Sequence, residues 1–400
     1  MTGALHGIRI IDLSTVVMGP YAAQMLGDMG ADVVKVETDG GDMNRTMGGG
    51  PAPGMSGIAM TVNRNKRSIA VDLKSPEGRE VLLRLLGTAD VLITNLRPGP
   101  LRRLGLSYDE IGSRFPRLIY CQAQGFRSGS DEEERPAYDD IIQAATGMTR
   151  FSEATVGRTS FVPSIVADKI SGHSIVEVVL AALFHRERTG KAQRVEVAMF
   201  DALLAFNLTE NLSRAVQPGK PTGYNRMLMN SRGPHRTTDG HIAVMPYNDD
   251  HWRLLFGHVG RAAELEEPWF ADREFRVKNF QDTYARLATV MAERSTGEWI
   301  GFCHEHSIPV NDTPSLDDIV ADPALHRGMI TDEVHPHIGP YRGVMPAFMM
   351  DDSPLSVRRH APLVGEHTEE VLAELGYGTD AVEALLASKV VRKARPPKNA

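Results

Sequence analysis

Short apolar runs alternate with amphipathic segments along the first half of the chain. A helical period that ends at a glycine predicts a helix over residues 21–30, and Ser75-Pro76-Glu77 predicts the start of another. The apolar runs predict buried strands over residues 8–13, 32–37, 68–73, 89–94 and 118–122. Strands that alternate with helices at this spacing indicate a mostly parallel sheet covered on both faces. We therefore predict an α/β fold with a Rossmann-like large domain.

The pattern changes at about residue 217, where proline, glycine and polar residues indicate a linker. A strand is predicted over 241–245, short helices follow it, and residues 336–352 are predicted to be irregular. The predicted domains are a large Rossmann-like domain over residues 1–215, a linker and smaller α+β domain over 216–327, and a return segment over 328–400 that completes the large domain.

Residues 40–57 contain two clusters of glycine and two prolines between the second and third predicted strands. This composition predicts a mobile loop rather than packed structure. Loops longer than ~15 residues in compact domains are usually either functional or disordered. Two interpretations stay open at this point: a lid over a site, and a solvent-exposed connector without a role.

The composition excludes several classes of protein. The formal net charge is -7 and the basic residues are scattered, so the chain lacks the basic stripe of a nucleic-acid-binding protein. Cys121 and Cys303 lie far apart, which favours a reducing, cytoplasmic compartment over a disulfide scaffold. No apolar stretch reaches the ~18 residues of a membrane span, and the N-terminus lacks the pattern of a signal peptide. We predict a cytoplasmic protein that binds neither nucleic acid nor membrane.

Several catalytic and cofactor motifs are missing from the sequence. No GxGxxG follows the early strands, and neither GxxxxGK[ST] nor GxSxG occurs. NAD binding, phosphoryl transfer on a P-loop and serine hydrolysis therefore lose their best support. Residues 303–306 (Cys-His-Glu-His) have metal-ligand side chains, but neighbours on a helix point in different directions and cannot converge on one ion. We predict no metal site.

Asp168 stands immediately before a predicted helix, Lys169 to Arg188, which a glycine ends at residue 190. At or near the N-cap, its carboxylate would receive free backbone N–H groups and the positive end of the helix dipole, which lowers a carboxyl pKa. An ionised and oriented carboxylate can act as a nucleophile toward an acyl group. From the residues alone, an aspartate in this place is more often a structural cap.

Seven blocks of sequence resemble the family III CoA-transferases, which include formyl-CoA and carnitine CoA-transferases and the related α-methylacyl-CoA racemases. The blocks extend over almost the whole chain and keep the family's order. They are GIRIIDL at 7–13 with Gly19-Pro20, GADVVKVE at 30–37, NRNKRSI at 63–69, NLRPG at 95–99, PAYD at 136–139, TGKAQRV at 189–195 and GEHT at 365–368.

The resemblance implies that Asp168 is the covalent nucleophile of a CoA-transferase. CoA would pass from an acyl-CoA thioester to a carboxylic acid acceptor through an aspartyl intermediate, without ATP and without a tightly bound cofactor. Succinyl-CoA is the expected donor because it is common in the family. The resemblance also implies a homodimer of two interlocked chains.

Basic residues for the phosphates of CoA are expected near the carboxyl ends of the strands, where open α/β sheets bind ligands. For any single one of them, a solvated surface residue is the alternative. Arg97, Arg102 and Arg103 follow Asn95 at such an end, whereas Lys66 and Arg67 precede a predicted strand. The resemblance implies the full set of CoA-binding residues: Val16, Lys66, Leu73, Asn95, Leu96, Arg97, Arg103, Leu104, Ala137 and Tyr138.

Two other functions stay open: an α-methylacyl-CoA racemase-like isomerase that moves the α-proton, and a CoA-ester-binding protein without turnover. Tyr138 argues against the racemase, because that branch has a histidine at this position and a tyrosine is a poor base near neutral pH. Val17 and Thr38 replace a glutamine and an arginine of other members. Together with the missing GGGGQ-like loop, the change at Val17 argues against formyl-CoA and oxalate as substrates.

Overall fold

The computed structural model describes residues 3–395, so the outer ends of the first and third predicted segments, residues 1–2 and 396–400, lie outside the described residues. The described chain forms two compact units. Unit 1 contains the chain up to Thr146, Pro163–Phe206 and the chain from His326 onward. Unit 2 contains Gly147–Val162 and Asn207–Leu325.

Twelve strands occur in the described residues. They are β1 (Arg9–Leu13), β2 (Asp32–Glu37), β3 (Lys66–Val71), β4 (Val91–Thr94), β5 (Ile119–Gln124), β6 (Arg194–Ala198), β7 (His235–Arg236), β8 (His241–Val244), β9 (Val310–Asp312), β10 (Ile330–His335), β11 (Gly339–Val344) and β12 (Val391–Arg392).

Eighteen α-helices occur in the same residues. They are α1 (Met18–Asp28), α2 (Gly57–Val62), α3 (Pro76–Leu86), α4 (Pro98–Leu104), α5 (Tyr108–Ile111), α6 (Asp139–Ala145), α7 (Phe151–Val156), α8 (Val166–Thr189), α9 (Met199–Asn211), α10 (Asp249–His258), α11 (Pro268–Ala271), α12 (Arg273–Lys278), α13 (Phe280–Met291), α14 (Thr296–Glu305), α15 (Leu316–Ala321), α16 (Pro323–His326), α17 (Thr368–Glu374) and α18 (Thr379–Ala387).

The main sheet of unit 1 has seven strands in the order β12-β3-β2-β1-β4-β5-β6. All neighbours pair in parallel except β12, which pairs antiparallel with β3. Strands β3, β4 and β5 are buried at every residue. Without the edge strand β12, the order β3-β2-β1-β4-β5-β6 is that of a doubly wound α/β sheet. In such sheets the strand order reverses beside β1, and ligands bind there, beyond the carboxyl ends of the strands. The predicted fold class is confirmed.

Unit 2 has its own apolar core, in which all three tryptophans of the chain are buried. The Trp252 ring lies 6.3 Å from that of Trp269, and Trp299 donates its indole N–H to the carbonyl of Met291 at 2.9 Å. The strands β7, β8 and β9 form a small antiparallel sheet in this unit. No helix among residues 3–395 is both long and apolar enough to cross a membrane.

The prediction that residues 336–352 are irregular is wrong, because β11 lies within them. It pairs antiparallel with β10 in a hairpin, with His335 opposite Gly339 and Val334 opposite Pro340. Proline and glycine weaken a strand signal, yet both are tolerated here because a two-stranded ribbon has free edges. Gly339 has φ +78°, a left-handed conformation that favours glycine.

The glycine-rich segment is also more ordered than its composition predicts. Residues Met43–Thr46 form a 3₁₀ turn, and Arg45 within it is buried. Its guanidinium makes two hydrogen bonds to the Glu37 carboxylate, at 2.7 and 2.6 Å, and one to the carbonyl of Pro362 at 3.0 Å. The prediction of a mobile, unpacked loop is therefore wrong for this turn, because a buried ion pair fixes it to the sheet.

Four buried charged residues form a cluster beside β1, β2 and β3: Asp12, Lys35, Asp42 and Lys66. The Lys35 ammonium lies 2.9 Å from Asp42 and 3.7 Å from Asp12, and Lys66 lies 2.7 Å from Asp12. Burial opposes ionisation of Asp12, but the two ammonium groups hold its pKa below the usual range. The formal charges cancel, which is the condition under which buried charges are tolerated.

We predict that Lys35→Met lowers the free energy of unfolding by about 3–5 kcal/mol, since it leaves two buried carboxylates opposite one ammonium. Urea titration followed by circular dichroism measures the change. The exposed Lys191 provides the control, and Lys191→Met should stay within about 0.5 kcal/mol of the parent. Equal stability of the two variants would show that the fold does not depend on balancing the charges of this cluster.

Candidate functional site

A cleft of about 300 Å³ opens beyond the carboxyl ends of β1, β4 and β5. Its position is the one expected for a ligand site in a doubly wound sheet. The residues that line it are Thr15, Val16, Met18, Met43, Asn95, Leu96, Arg97, Pro100, Gln124, Gly125, Arg135, Pro136, Ala137, Tyr138, Asp168 and Met199.

Asp168 is in the first turn of α8, and its carboxylate is directed at the N-terminus of α1. Its Oδ1 accepts a hydrogen bond from the backbone N–H of Met18 at 3.2 Å. The two helices approach closely because Gly172 has no side chain there: a Cβ would lie 2.9 Å from the Tyr21 ring and 3.2 Å from the carbonyl of Met18. The predicted helix start at Lys169 is wrong, since α8 begins after Ile165, but Asp168 does lie near the N-cap, in the first turn.

The pKa of Asp168 changes in the direction opposite to the one predicted. Burial, assisted by the negative charge of Asp139, raises it to about 6, while the Met18 N–H acts in the other direction. The side chain is only 9% exposed, which explains why loss of hydration outweighs one hydrogen bond. At neutral pH the group is mostly ionised, and its charge is poorly solvated.

Asp139 is the carboxylate that stands beside Asp168. Its Oδ2 accepts the backbone N–H of Asp168 at 3.0 Å, and its Oδ1 accepts the Gln143 amide at 2.6 Å. Because α6 begins at Asp139, this side chain is held in the first turn of a helix. The pair of hydrogen bonds fixes a negative charge next to the start of α8.

The loop after β1 forms one wall of the cleft, and side chains hold its backbone on both sides. Asn95 accepts the N–H of Thr15 and donates to its carbonyl, both at 2.8 Å. Asp42 accepts the N–H of Val16 at 2.9 Å, and Asn44 donates to its carbonyl at 2.8 Å. Val16 has φ +69°, a conformation that costs a residue with a Cβ roughly 1–2 kcal/mol.

Two further cavities adjoin the cleft. The first, of about 210 Å³, lies at the carboxyl ends of β1, β2 and β3 and shares Thr15 and Leu96 with the cleft. The second, of about 560 Å³, shares Leu73 and Leu104 with the first. Basic side chains line the second cavity, namely Lys74, Arg79 and Arg103. We call these three adjoining spaces the groove: Asp168 lies at one end, and the basic side chains lie at the other.

Most of the residues predicted from the sequence lie along this groove. Leu73 and Leu104 line both outer cavities, and Arg103 lines the basic one. The predicted residues that share the cleft with Asp168 are Val16, Asn95, Leu96, Arg97, Ala137 and Tyr138.

Lys66 is the exception, and its prediction as a CoA-binding cation is wrong. The side chain is fully buried, and its ammonium donates to Asp12, to the carbonyl of Pro20 and to Asn63 at 2.7, 2.8 and 3.1 Å. It is a member of the buried charge cluster and does not line any part of the groove.

Several residues that define the site were not predicted from the sequence. Asp139 follows Tyr138 directly in the PAYD block, so its identity was a usable signal. Asp42 and Asn44 lie in the glycine-rich segment, where the composition predicts no packed side chains. Met18 contributes through its backbone, which no residue-type pattern reveals.

The geometry defines a class of protein: a doubly wound α/β protein with a buried, weakly acidic carboxyl group at one end of a groove that is basic at the other end. The sequence profile of CoA-transferase family III matches residues 5–368. The chain belongs to this family, and it is an enzyme of the acyl-CoA:carboxylate CoA-transferase type.

Relatives and solved structures agree with this assignment. The chain is 33% identical to the probable fatty acyl-CoA transferase Rv3272 of Mycobacterium tuberculosis, over 82% of this chain and 87% of the relative. It is 32% identical to the succinate–glutarate CoA-transferase of Agrobacterium fabrum, over 93% and 95%. A CAIB/BAIF family protein from Brucella suis has a similar structure, with a TM-score of 0.82, 28% identity, and coverage of 94% of this chain and all of that one.

We predict that Asp168→Asn stabilises the protein at pH 7.5. A folded-state pKa raised from 3.8 to about 6 means that stability is lost as pH rises between these values, and the loss persists above them. Removing the charge should therefore add up to about 3 kcal/mol at pH 7.5 and nothing near pH 3.5. Thermal unfolding at both pH values measures the difference.

Asp140→Asn is the matched control, because Asp140 is an exposed neighbour of Asp139 on the same helix. It should change stability by less than about 0.5 kcal/mol at either pH. A destabilised Asp168→Asn variant at pH 7.5 would contradict the raised pKa.

Proposed function

We propose that the protein transfers CoA from an acyl-CoA thioester to a carboxylic acid through a covalent intermediate on Asp168. One observation carries the proposal: a carboxyl group with a pKa of about 6 lies at one end of the groove, and basic side chains line the other end. Poor solvation makes the carboxylate more reactive than a surface aspartate, while a pKa below neutral keeps it ionised.

The proposed reaction needs no outside source of energy. An oxygen of Asp168 bonds to the thioester carbonyl carbon, the C–S bond breaks, and CoA leaves as a thiolate. The thiolate attacks the aspartyl carbon of the resulting anhydride, releases the donor acid and forms an aspartyl-CoA thioester. The acceptor carboxylate then attacks this thioester, and the same two steps in reverse give the new acyl-CoA and free Asp168. Each intermediate keeps the energy of the original thioester, provided that water is excluded.

We assign the groove to CoA. Its basic cavity suits the phosphates, since Lys74, Arg79 and Arg103 present cations there, and the aliphatic Leu73 and Leu104 suit an adenine ring. The thioester would then lie in the cleft near Tyr138. This assignment retains the sequence prediction for Leu73, Arg103 and Leu104 and abandons it for Lys66.

The composition of the cleft favours acyl transfer over proton transfer at the α-carbon. An epimerising enzyme needs an acid and a base that both reach that carbon. Asp168 is the one carboxylate among the described lining residues of the cleft, and no histidine is among them. Tyr138 stands where the racemase branch has its histidine. Among its described lining residues, the cleft therefore has the carboxylate that acyl transfer needs but lacks the histidine that would complete an acid–base pair.

The proposed substrates are dicarboxylic acids and their CoA esters. Relatives carry the names succinate–glutarate CoA-transferase and succinyl-CoA:mesaconate CoA-transferase, at 32% and 31% identity. In this chain, Arg97 lines the cleft with Asp168 and offers a cation for a second carboxylate, whereas Arg135, which also lines the cleft, is paired with Glu132. We also retain the interlocked homodimer as part of the proposal.

We predict that succinyl-CoA and hydroxylamine together convert Asp168 into a hydroxamate, which peptide mass spectrometry detects. Asp168→Ala should lose at least about a thousandfold of CoA exchange between succinate and glutarate, because it removes the atom that forms the bond. Asp140→Asn should react as the parent does. Transfer that persists in Asp168→Ala, or an unmodified Asp168 in a protein that turns the substrates over, would contradict the proposed mechanism.

We predict that the rate of CoA transfer rises with pH through about 6 and then stays level, because Asp168 must be ionised to attack. Asp139→Asn should move this acidic limb to lower pH, since it removes the negative charge that helps to raise the pKa of Asp168. Initial rates between pH 4.5 and 8 test both statements. A limb that moves to higher pH in this variant would refute the role assigned to Asp139.

A further inference from the structure

Val16 is a β-branched residue in the left-handed region, with φ +69°, and it lines the same cleft as the proposed nucleophile. Its conformation sets the direction of the chain that follows, in which the N–H of Met18 reaches Asp168 at 3.2 Å. A valine does not adopt this conformation without support from its surroundings. The support must come from groups that bind the peptide units on either side of it.

Those groups belong to the glycine-rich segment. Asp42 accepts the N–H of Val16 at 2.9 Å, and Asn44 donates to the Val16 carbonyl at 2.8 Å. Asp42 also accepts the backbone and side-chain N–H groups of Asn44, at 3.1 and 3.0 Å. Lys35 holds Asp42 in turn, 2.9 Å away, so the grip on Val16 extends into the buried charge cluster.

The Asn44 side chain directs both of its N–H donors at the residues around Val16, one to the Val16 carbonyl at 2.8 Å and one to Asp42 at 3.0 Å. The side chain is fully buried, and its Oδ1 accepts no hydrogen bond from the described residues. An unsatisfied buried carbonyl oxygen is unfavourable. The orientation of the amide is therefore set by its two N–H donors, one on the Val16 carbonyl and one on Asp42.

We propose that Asn44 and Asp42 are positioning residues, which hold Val16 left-handed so that the Met18 N–H stays directed at the Asp168 carboxylate. This inference rests on the proposed function, because it assigns a task to the surroundings of the nucleophile. On this proposal, the glycine-rich segment holds the loop after β1 in one conformation.

The test is a double-mutant cycle between Asn44→Ala and Val16→Gly, assayed with succinyl-CoA and glutarate. Asn44→Ala should lower kcat by about tenfold, because the Val16 carbonyl loses its donor and the Met18 N–H is no longer held at the Asp168 carboxylate. Glycine adopts a left-handed φ without strain, so in the Val16→Gly background the same substitution should lower kcat by less than about threefold. Equal losses in both backgrounds would overturn the proposal.

The pH profile separates positioning from a general loss of structure. The Met18 N–H lowers the pKa of Asp168, so Asn44→Ala should move the acidic limb to higher pH, opposite to Asp139→Asn. Thr46→Ala is the control, because Thr46 is an exposed residue on the same 3₁₀ turn. It should leave kcat and the limb as in the parent.

Amide hydrogen exchange provides a readout that needs no substrate. Peptides that cover residues 14–18 should exchange faster in Asn44→Ala and at the parental rate in Thr46→Ala. Unchanged exchange in Asn44→Ala would overturn the proposal even if Asp168→Ala is inactive and the proposed function stands. Activity that survives in Asp168→Ala would instead overturn the proposed function, while exchange would still report on the support of Val16.

Discussion

The neutralisation of Lys35 is the interaction on which the rest of unit 1 depends. Its ammonium lies inside the sheet, where a charge without partners would cost several kcal/mol. Its partners come from three places: the Asp12 carboxylate on β1, the carbonyl of Ser14 beyond that strand, and Asp42 in the glycine-rich segment. The buried Lys35 ammonium thus connects β1, the loop after β1 and the glycine-rich segment.

Two of the buried carboxylates of this unit, Asp12 and Asp168, differ in how easily they ionise. Asp12 lies between two ammonium groups and ionises readily, whereas Asp168 lies beside another carboxylate and ionises with difficulty. The first arrangement stabilises the fold, and the second leaves a poorly solvated carboxylate in the cleft. The cost of the buried Asp168 charge and of the left-handed Val16 is met by the core and by the salt-bridged sheet around them.

The sheet and the start of α3 could be predicted because they depend on apolar periodicity and caps, whereas the groove-lining residues came mainly from the family resemblance. Prediction from the sequence failed where tertiary contacts override composition. Arg45 orders a glycine-rich turn through Glu37, and Lys66 is a core residue because Asp12 lies opposite it. The pKa of Asp168 was predicted in the wrong direction because burial and Asp139 depend on how α6 and α8 meet, which no local pattern encodes.

The strand at the edge of the main sheet affects the order in which the two units can fold during synthesis. Strand β12 covers β3, and Thr368 donates its hydroxyl to the carbonyl of Arg392 while accepting the N–H of Ala70. Unit 2, by contrast, draws most of its residues from one stretch, Asn207–Leu325. On the ribosome, the small core around its tryptophans can form while β3 still has an open edge. The unit that begins first in the chain is therefore the one that finishes last, and its unpaired edge is exposed to other nascent chains in the interval.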